Sequence, residues 1–165
     1  MVTPLPYQNV GFHFSVHIDA RSNPRVQRFY TDPVPEFDIK FQSVAGLDVE
    51  IETENVKEGG ENRFEHKLPV RRRFSDLTLK RGLLAPEDRS FFTAWCKAAA
   101  ENLLVVPLNM DILLLNDDHQ PIMKWKIIHA WPKKWRFGEL NAERAEILIE
   151  TLDLNYNRLE FASPT

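Results

Sequence analysis

Alternation of apolar and polar residues constrains this chain more than any other feature of its sequence. Apolar residues at every second position are typical of strands with one buried face. The segments with this period are residues 12–18, 37–41 and 49–54. Three further strands are predicted at residues 110–115, 122–128 and 145–156. Residues 116–121 are rich in turn formers and predict a hairpin between two of these strands.

A single segment has the spacing of an amphipathic helix. Its apolar positions begin at Phe91 and Phe92, continue through Trp95, and lead into an alanine-rich stretch that favours helix. Pro86 and two acidic residues mark its start, and Pro107 lies beyond its end. One helix among several strands predicts a mainly β protein, a barrel or sandwich with a helix packed on it.

The chain is predicted to form one domain, residues 1–165. This length suits a single apolar core, and the sequence contains no internal repeat or low-complexity tract. Residues 21–36 contain three prolines and predict a long loop between two strands. Residues 55–74 are poor in large apolar side chains and include a Gly-Gly pair, which favours a protruding arm over a core strand.

The formal net charge of −3 hides two opposed blocks of charge. Residues 48–61 carry six acidic residues against one lysine, and residues 63–81 carry seven basic residues against two acidic ones. The blocks either neutralise each other on neighbouring strands or join subunits head to tail. Our candidate contacts between subunits are Glu50, Glu52, Glu54, Glu58, Glu61, Arg63, Lys67, Arg71, Arg72, Arg73, Lys80 and Arg81.

The sequence contains no arrangement of residues typical of an enzyme or a metal site. Phosphate-binding glycine motifs, nucleophile elbows and zinc-protease motifs are absent from it. Its histidines are isolated or lie on a polar strand face, and the adjacent acids Asp117 and Asp118 fit a turn. The one cysteine, Cys96, excludes an internal disulfide and is expected to be buried. We therefore expect no catalytic activity, metal or cofactor.

The tryptophans allow two interpretations. Trp95, Trp125, Trp131 and Trp135 are predicted to anchor loops and strands on the core. Residues 131–136 also interleave aromatic and basic side chains, which can stack bases and hold phosphates. A monomeric β-barrel module that binds nucleic acid or another polyanion is therefore the alternative of another class, although the net charge argues against a dedicated nucleic-acid binder.

Several segments, taken in order, resemble one known family. They are residues 41–52, 58–62, 67–69, 77–82, 123–125, 130–135 and 149–154. The ordered set spans residues 11–156 and is similar to the tail-tube proteins of contractile phage tails and phage-tail-like contractile injection systems. Residues 7–14 are more similar to the tube-initiator subunits at the baseplate end, with the main tube subunit as the alternative.

The resemblance implies a specific fold and assembly. It implies two packed antiparallel sheets forming a small barrel with a flanking helix, and a homohexameric ring around a central channel. Rings would stack through the N-terminal extension, residues 1–10, and through the arm, while residues 21–36 would be an insertion. Expected partners are adjacent rings, spike, hub or baseplate proteins and the surrounding sheath. We expect assembly in the bacterial cytoplasm, no membrane insertion and no specific recognition of nucleic acid.

Overall fold

The computed structural model describes residues 13–19, 23–29, 41–56, 65–83, 91–143 and 146–163. Within these ranges the chain forms nine strands, one α-helix and a short 3-10 helix at Pro24–Phe29. The strands are β1 (Phe14–Asp19), β2 (Ser43–Ala45), β3 (Val49–Val56), β4 (His66–Phe74), β5 (Leu77–Gly82), β6 (Leu108–Leu115), β7 (Pro121–Phe137), β8 (Ile149–Asn155) and β9 (Arg158–Ala162). The helix α1 spans Phe91–Asn102.

Strand β7 joins two antiparallel sheets. Its first half pairs with β6 and β9, which gives a first sheet in the order β1-β6-β7-β9. Its second half pairs with β8, which gives a second sheet in the order β7-β8-β5-β2. Side chains from both sheets and from α1 form one apolar core. The prediction of two packed antiparallel sheets with one flanking helix is confirmed.

The predicted end of the fifth strand at residue 128 is wrong, because β7 continues to Phe137. The strand passes from one sheet to the other near His129, whose φ is 56°. A register shift between Pro132 and Lys134 follows this bend. Proline is tolerated beside such irregularities, so a sequence that looks like a loop here continues as a strand.

The core is built from leucines and isoleucines of the strands and from one face of α1. The helix buries Phe91, Phe92, Trp95 and Cys96 against the sheets. The indole Nε1 of Trp95 donates a hydrogen bond of 2.8 Å to the carbonyl of Val106, so its polar atom is satisfied in the core. The predicted helix is therefore present, and its apolar face packs against the sheets.

Strands β2 and β3 follow one another on one side of a long two-stranded structure, and β4 and β5 form its other side. Its first part is β2 paired with β5, and its second part is β3 paired with β4. The second part leaves the second sheet. Cross-strand pairs run from Ser43 with Lys80 to Ala45 with Thr78, and the same register resumes with Val49 opposite Phe74. Only the β2–β5 portion belongs to the second sheet. We call the β3–β4 portion the ribbon.

Several predicted elements differ from the observed ones. The first strand is confirmed, although it begins at Phe14. Strands β2 and β9 carry too short a pattern to be predicted, and the predicted loop 21–36 contains the 3-10 helix. Residues 37–40, the N-terminal extension and Pro86 lie outside the described residues. Among the helices that the structure describes, none is long and apolar enough to cross a membrane.

Candidate assembly surfaces

One face of the ribbon is acidic on β3 and basic on β4, and the two charges meet within the chain. Glu52 lies opposite Arg71 and bonds to its guanidinium, while Nη1 of Arg73 lies 3.3 Å from the other carboxylate oxygen. The hydrogen bond from Arg71, with the nearby charge of Arg73, lowers the pKa of the Glu52 carboxyl. Opposite charges therefore pair across neighbouring strands of one chain, which is the first of the two alternatives drawn from the sequence.

The other face of the ribbon has positive charge without carboxylates within β3 and β4. Its pairs are Ile51 with Arg72 and Asn55 with Lys67, because cross-strand partners share a face. Ile51 is 58% exposed. Val70, the unpaired residue between Pro69 and Arg71 at the register shift, is also 58% exposed. We call Ile51, Lys67 and Arg72 the basic face. Exposed apolar atoms beside unneutralised cations are typical of an interface rather than of a solvated surface.

The remaining charged candidates fall into three groups: some are exposed, some lie outside the described residues, and Arg81 is buried. Glu50, Glu54 and Lys80 are exposed. Glu58, Glu61 and Arg63 lie outside the described residues.

Arg81 was assigned to a surface between subunits, and this assignment is wrong for the chain as folded. Its side chain is buried, and its Nε donates a hydrogen bond of 2.5 Å to Oε2 of the equally buried Glu150. Its Nη2 also donates to the hydroxyl of Thr93 on α1, at 3.1 Å. The indole of Trp135 donates to Oε1 of Glu150 at 2.6 Å. The pair therefore connects β5, β8, β7 and α1 inside one protomer.

The sequence contained a signal for this pair that our reading missed. Alternation along β5 places Arg81 on the same face as the buried Leu77 and Leu79, and alternation along β8 places Glu150 on the face of Leu152. Each strand therefore has one charged residue at a core position. The two charges are directly opposite in the β5–β8 register.

The ribbon leaves the second sheet at a fixed bend, which we call the elbow. Gly46 adopts a φ of +89°, and a Cβ added there would lie 2.1 Å from the carbonyl oxygen of Asp76. The hydroxyl of Tyr156 donates to the carbonyl of Gly46 at 3.2 Å, and burial raises the pKa of Tyr156 to about 12. Asp76 accepts hydrogen bonds from Lys133 at 2.5 Å and from Asn155 at 3.1 Å. The bond from Lys133 lowers the pKa of Asp76.

The tryptophans and the basic residues around them lie against other parts of the chain. Trp95 is fully buried, Trp125 and Trp135 pack against the core, and Trp131 is half-buried opposite Asn155. In the stretch that could have held a polyanion, Lys133 pairs with Asp76 and Arg136 pairs with Asp153 at 2.8 Å. Carboxylates of the chain itself therefore compete with any phosphate for these cations.

Cys96 lies in the core beside the buried ion pair. Burial is the main cause that raises the pKa of its thiol to about 12, and the charge of Glu150 adds to it. Among the described residues, no group of three or more histidine, cysteine, aspartate or glutamate side chains could hold a metal ion.

Both sheets end in strands with an outer edge that no other described strand covers. In the first sheet these edges belong to β1 and β9, and in the second sheet to β2 and to the second half of β7. Such edges expose backbone donors and acceptors that can pair with another chain.

Comparison with known proteins assigns the fold. A chain of the 6-fold symmetrised cryo-EM structure of the anti-feeding prophage (AFP) baseplate is 27% identical, with a TM-score of 0.81 over 96% of this chain and 98% of that chain. A chain of the PVC sheath-tube complex, an extracellular contractile injection system in the extended state, is 21% identical, with a TM-score of 0.72 over 96% and 94%. Hcp1 from Flavobacterium johnsoniae shares the fold at 12% identity and a TM-score of 0.53, over 92% and 96%.

Sequence comparison gives the family. No curated protein matches the chain. The model of the T4-like virus tail tube protein gp19 family matches residues 10–160, which is nearly the whole chain. The chain therefore belongs to the T4-like virus tail tube protein gp19 family, and it is a structural protein rather than an enzyme.

Proposed function

We propose that this chain is a structural subunit of the inner tube of a contractile injection apparatus. It forms hexameric rings that stack around a central channel, and it assembles in the bacterial cytoplasm. The observation that carries the proposal is its likeness, over nearly the full length of both chains, to a chain of a baseplate with six-fold symmetry. Membership of the tail tube family supports the same function.

The uncovered sheet edges supply a physical reason for a closed ring. In the second sheet the outer edges of β2 and of the second half of β7 lie at opposite sides. If β7 of one subunit pairs with β2 of the next, the contact is heterologous and repeats around an axis until the ring closes. Closure removes both of these edges of the second sheet, which an open sheet in solution would leave available for aggregation.

The outward face of the second sheet is suited to line a water-filled channel. In β5 and β8 the buried leucines point inward, so the alternate side chains point away from the core. Most of these outward side chains are hydroxyls, amides and charges: Ser43, Thr78, Lys80, Lys134, Arg136, Thr151, Asp153 and Asn155. Two half-buried apolar residues, Trp131 and Ile149, share this face near its ends.

We place the ring at the baseplate end of the tube, as its initiator layer between spike or hub and tube. The identity to the AFP baseplate chain, 27%, exceeds the 21% identity to the PVC sheath-tube chain. The second candidate is the main tube subunit, enclosed by the sheath along the tube, and the likeness to the sheath-tube chain favours it. In either role the chain would form the same hexameric ring.

Two measurements test the proposal. Mass photometry and negative-stain imaging of the purified chain, alone and with baseplate partners, are expected to give rings of six chains. A strictly monomeric chain under both conditions, retained on a polyanion column, would support the monomeric binding module instead. Cryo-EM of the particle with a tagged chain then separates the two candidates, because an initiator occupies the baseplate end and a main tube subunit occupies layers throughout.

A further inference from the structure

The outward face of the second sheet carries more positive than negative charge. Its charged side chains within β2, β5, β7 and β8 are Lys80, Lys134, Arg136 and Asp153. The three cations are exposed, whereas the aspartate is half-buried. This face therefore has a net charge of +2 in a chain whose net charge is −3.

The one carboxylate of this face is engaged by other residues than the lysines. Nη2 of Arg136 donates to Oδ2 of Asp153 at 2.8 Å, and Oγ1 of Thr78 donates to Oδ1 at 2.9 Å. Lys134 lies opposite Asp153 in the β7–β8 register but forms no ion pair within the described residues. Asp153 therefore neutralises Arg136 and leaves Lys134 uncompensated.

Lys80 is the second uncompensated cation. Its cross-strand neighbours are Ser43 on β2 and Thr151 on β8, whose hydroxyls carry no charge. Within the described residues no carboxylate forms an ion pair with Lys80. Lys80 lies in the cross-strand row of Thr151, and Lys134 lies in the row two residues further along β8, so about 7 Å of strand separates them.

Ring closure, as proposed, leaves both lysines uncompensated. The strand that would pair with β7 is β2 of the next chain, and its outward residues are Ser43 and Ala45, which carry no charge. Six chains would then place their lysines in one continuous zone around the channel, which we call the lysine band. Like charges on low-dielectric walls around a narrow space reinforce one another and attract counter-charge strongly.

We propose that the lysine band binds acidic polypeptide segments inside the channel. The ammonium groups form charge-assisted hydrogen bonds with carboxylates, and the hydroxyls of Ser43 and Thr151 beside Lys80 offer further polar contacts. This inference rests on the ring of the proposed function, and it adds the class of molecule that the channel holds.

The composition of the face favours a polypeptide over a nucleic acid. Proteins that hold single-stranded nucleic acid combine cations with aromatic side chains on which the bases stack. Among the described residues of this face, Trp131 is the one aromatic side chain, and it is half-buried in the row of Asn155, outside the two rows of the lysines. Arg136, which could bind a phosphate with two hydrogen bonds, is held by Asp153.

Fluorescence anisotropy of a dye-labelled polyglutamate peptide, titrated with assembled rings, tests the proposal. Lys80→Gln/Lys134→Gln should weaken binding at least tenfold, with each single variant in between, because it removes both uncompensated charges of every chain. Lys97→Gln/Lys126→Gln is the matched control, since it removes as many charges from α1 and the first sheet. It should change the affinity less than twofold, because salt at physiological strength screens charges beyond about 8 Å.

Charge reversal gives a second measurement. Lys80→Glu/Lys134→Glu changes the net charge of the face from positive to negative, so its rings should bind polylysine more tightly than polyglutamate. Both positions are exposed, and negative-stain imaging checks that the variant still forms rings. Variant rings that still prefer polyglutamate would overturn the inference.

The outcomes separate this inference from the proposed function. Rings whose affinity for polyglutamate falls no further in Lys80→Gln/Lys134→Gln than in the control would overturn the inference and leave the ring intact. Rings that bind oligothymidine more tightly than polyglutamate of equal charge would also overturn it, in favour of a nucleic-acid ligand. An unaltered chain that forms no ring, alone or with its baseplate partners, would overturn both.

Discussion

Replacing Arg81 with methionine should destabilise the fold by about 3–5 kcal/mol, the usual cost of removing one partner from a buried ion pair. Both side chains of the pair are only 4% exposed, so water cannot take over the lost contact with Glu150. Methionine keeps an apolar stem but removes the guanidinium, whose Cζ lies 5.9 Å from the centroid of the Phe41 ring and 5.8 Å from that of Phe92. The main expected loss comes from the buried Glu150 carboxylate, which keeps the hydrogen bond from Trp135 but has no cation beside it.

Urea unfolding followed by tryptophan fluorescence measures this change. All variants are compared at one chain concentration, because assembly adds stability by mass action. The Arg81→Met/Glu150→Met double variant should recover most of the loss, since a buried ion pair and an apolar pair of similar volume are often of equal stability. Lys97→Met, in the exposed pair with Glu101, is the matched control and should change little.

If Arg81→Met loses no more stability than Lys97→Met, the Arg81–Glu150 bond does not contribute as its burial requires. If the double variant is no more stable than Arg81→Met, the loss comes from packing around the arginine stem rather than from the buried carboxylate of Glu150.

Three further perturbations follow from the elbow and the core. Gly46→Ala should lower the free energy of unfolding in urea by about 1–3 kcal/mol. Gly138→Ala is the control and should lower it little, because its added Cβ would meet nothing closer than 3.5 Å. Equal losses would contradict the elbow geometry. Because Lys133 lowers the pKa of Asp76, their pair stabilises the fold above the ordinary aspartate pKa of about 3.9 and loses this effect as pH falls through the lowered value. Asp76→Asn should therefore flatten the acid limb of the stability profile, and an unchanged limb would argue against the pair. With a pKa of about 12, buried Cys96 should react with thiol reagents at pH 8 only after unfolding, and rapid labelling of the native chain would contradict its burial.

The elements that the sequence predicted well are those fixed by local pattern. The period-two segment around β1, the turn at residues 116–120 and the helix α1 all depend on residues close in sequence. The Asn116 side chain accepts hydrogen bonds from the amides of Asp118 and Gln120, as turn chemistry leads one to expect. Such signals need no knowledge of the rest of the fold.

What the sequence could not give is the pairing between distant segments. The extent of β7 depends on β8, which begins more than ten residues after β7 ends, and a proline in β7 weakens the local signal. The division of the basic block also depends on pairing, because Arg71 and Arg73 face Glu52 while Arg72 lies between them on the other face. A block of charge in sequence therefore does not identify which of its members are available to a partner.

In the proposed assembly, the elbow separates the lateral contacts within a ring from the axial contacts between rings. Ring closure, as proposed, uses backbone edges of the second sheet, whereas stacking uses side chains of the ribbon beyond Gly46. The contacts of Tyr156 and Asp76 hold the ribbon at one angle to that sheet, so a ring that has closed already presents its ribbons in one direction. Loosening the elbow, as in Gly46→Ala, should therefore weaken the proposed stacking without opening rings, and electron microscopy that shows opened rings instead would contradict this separation.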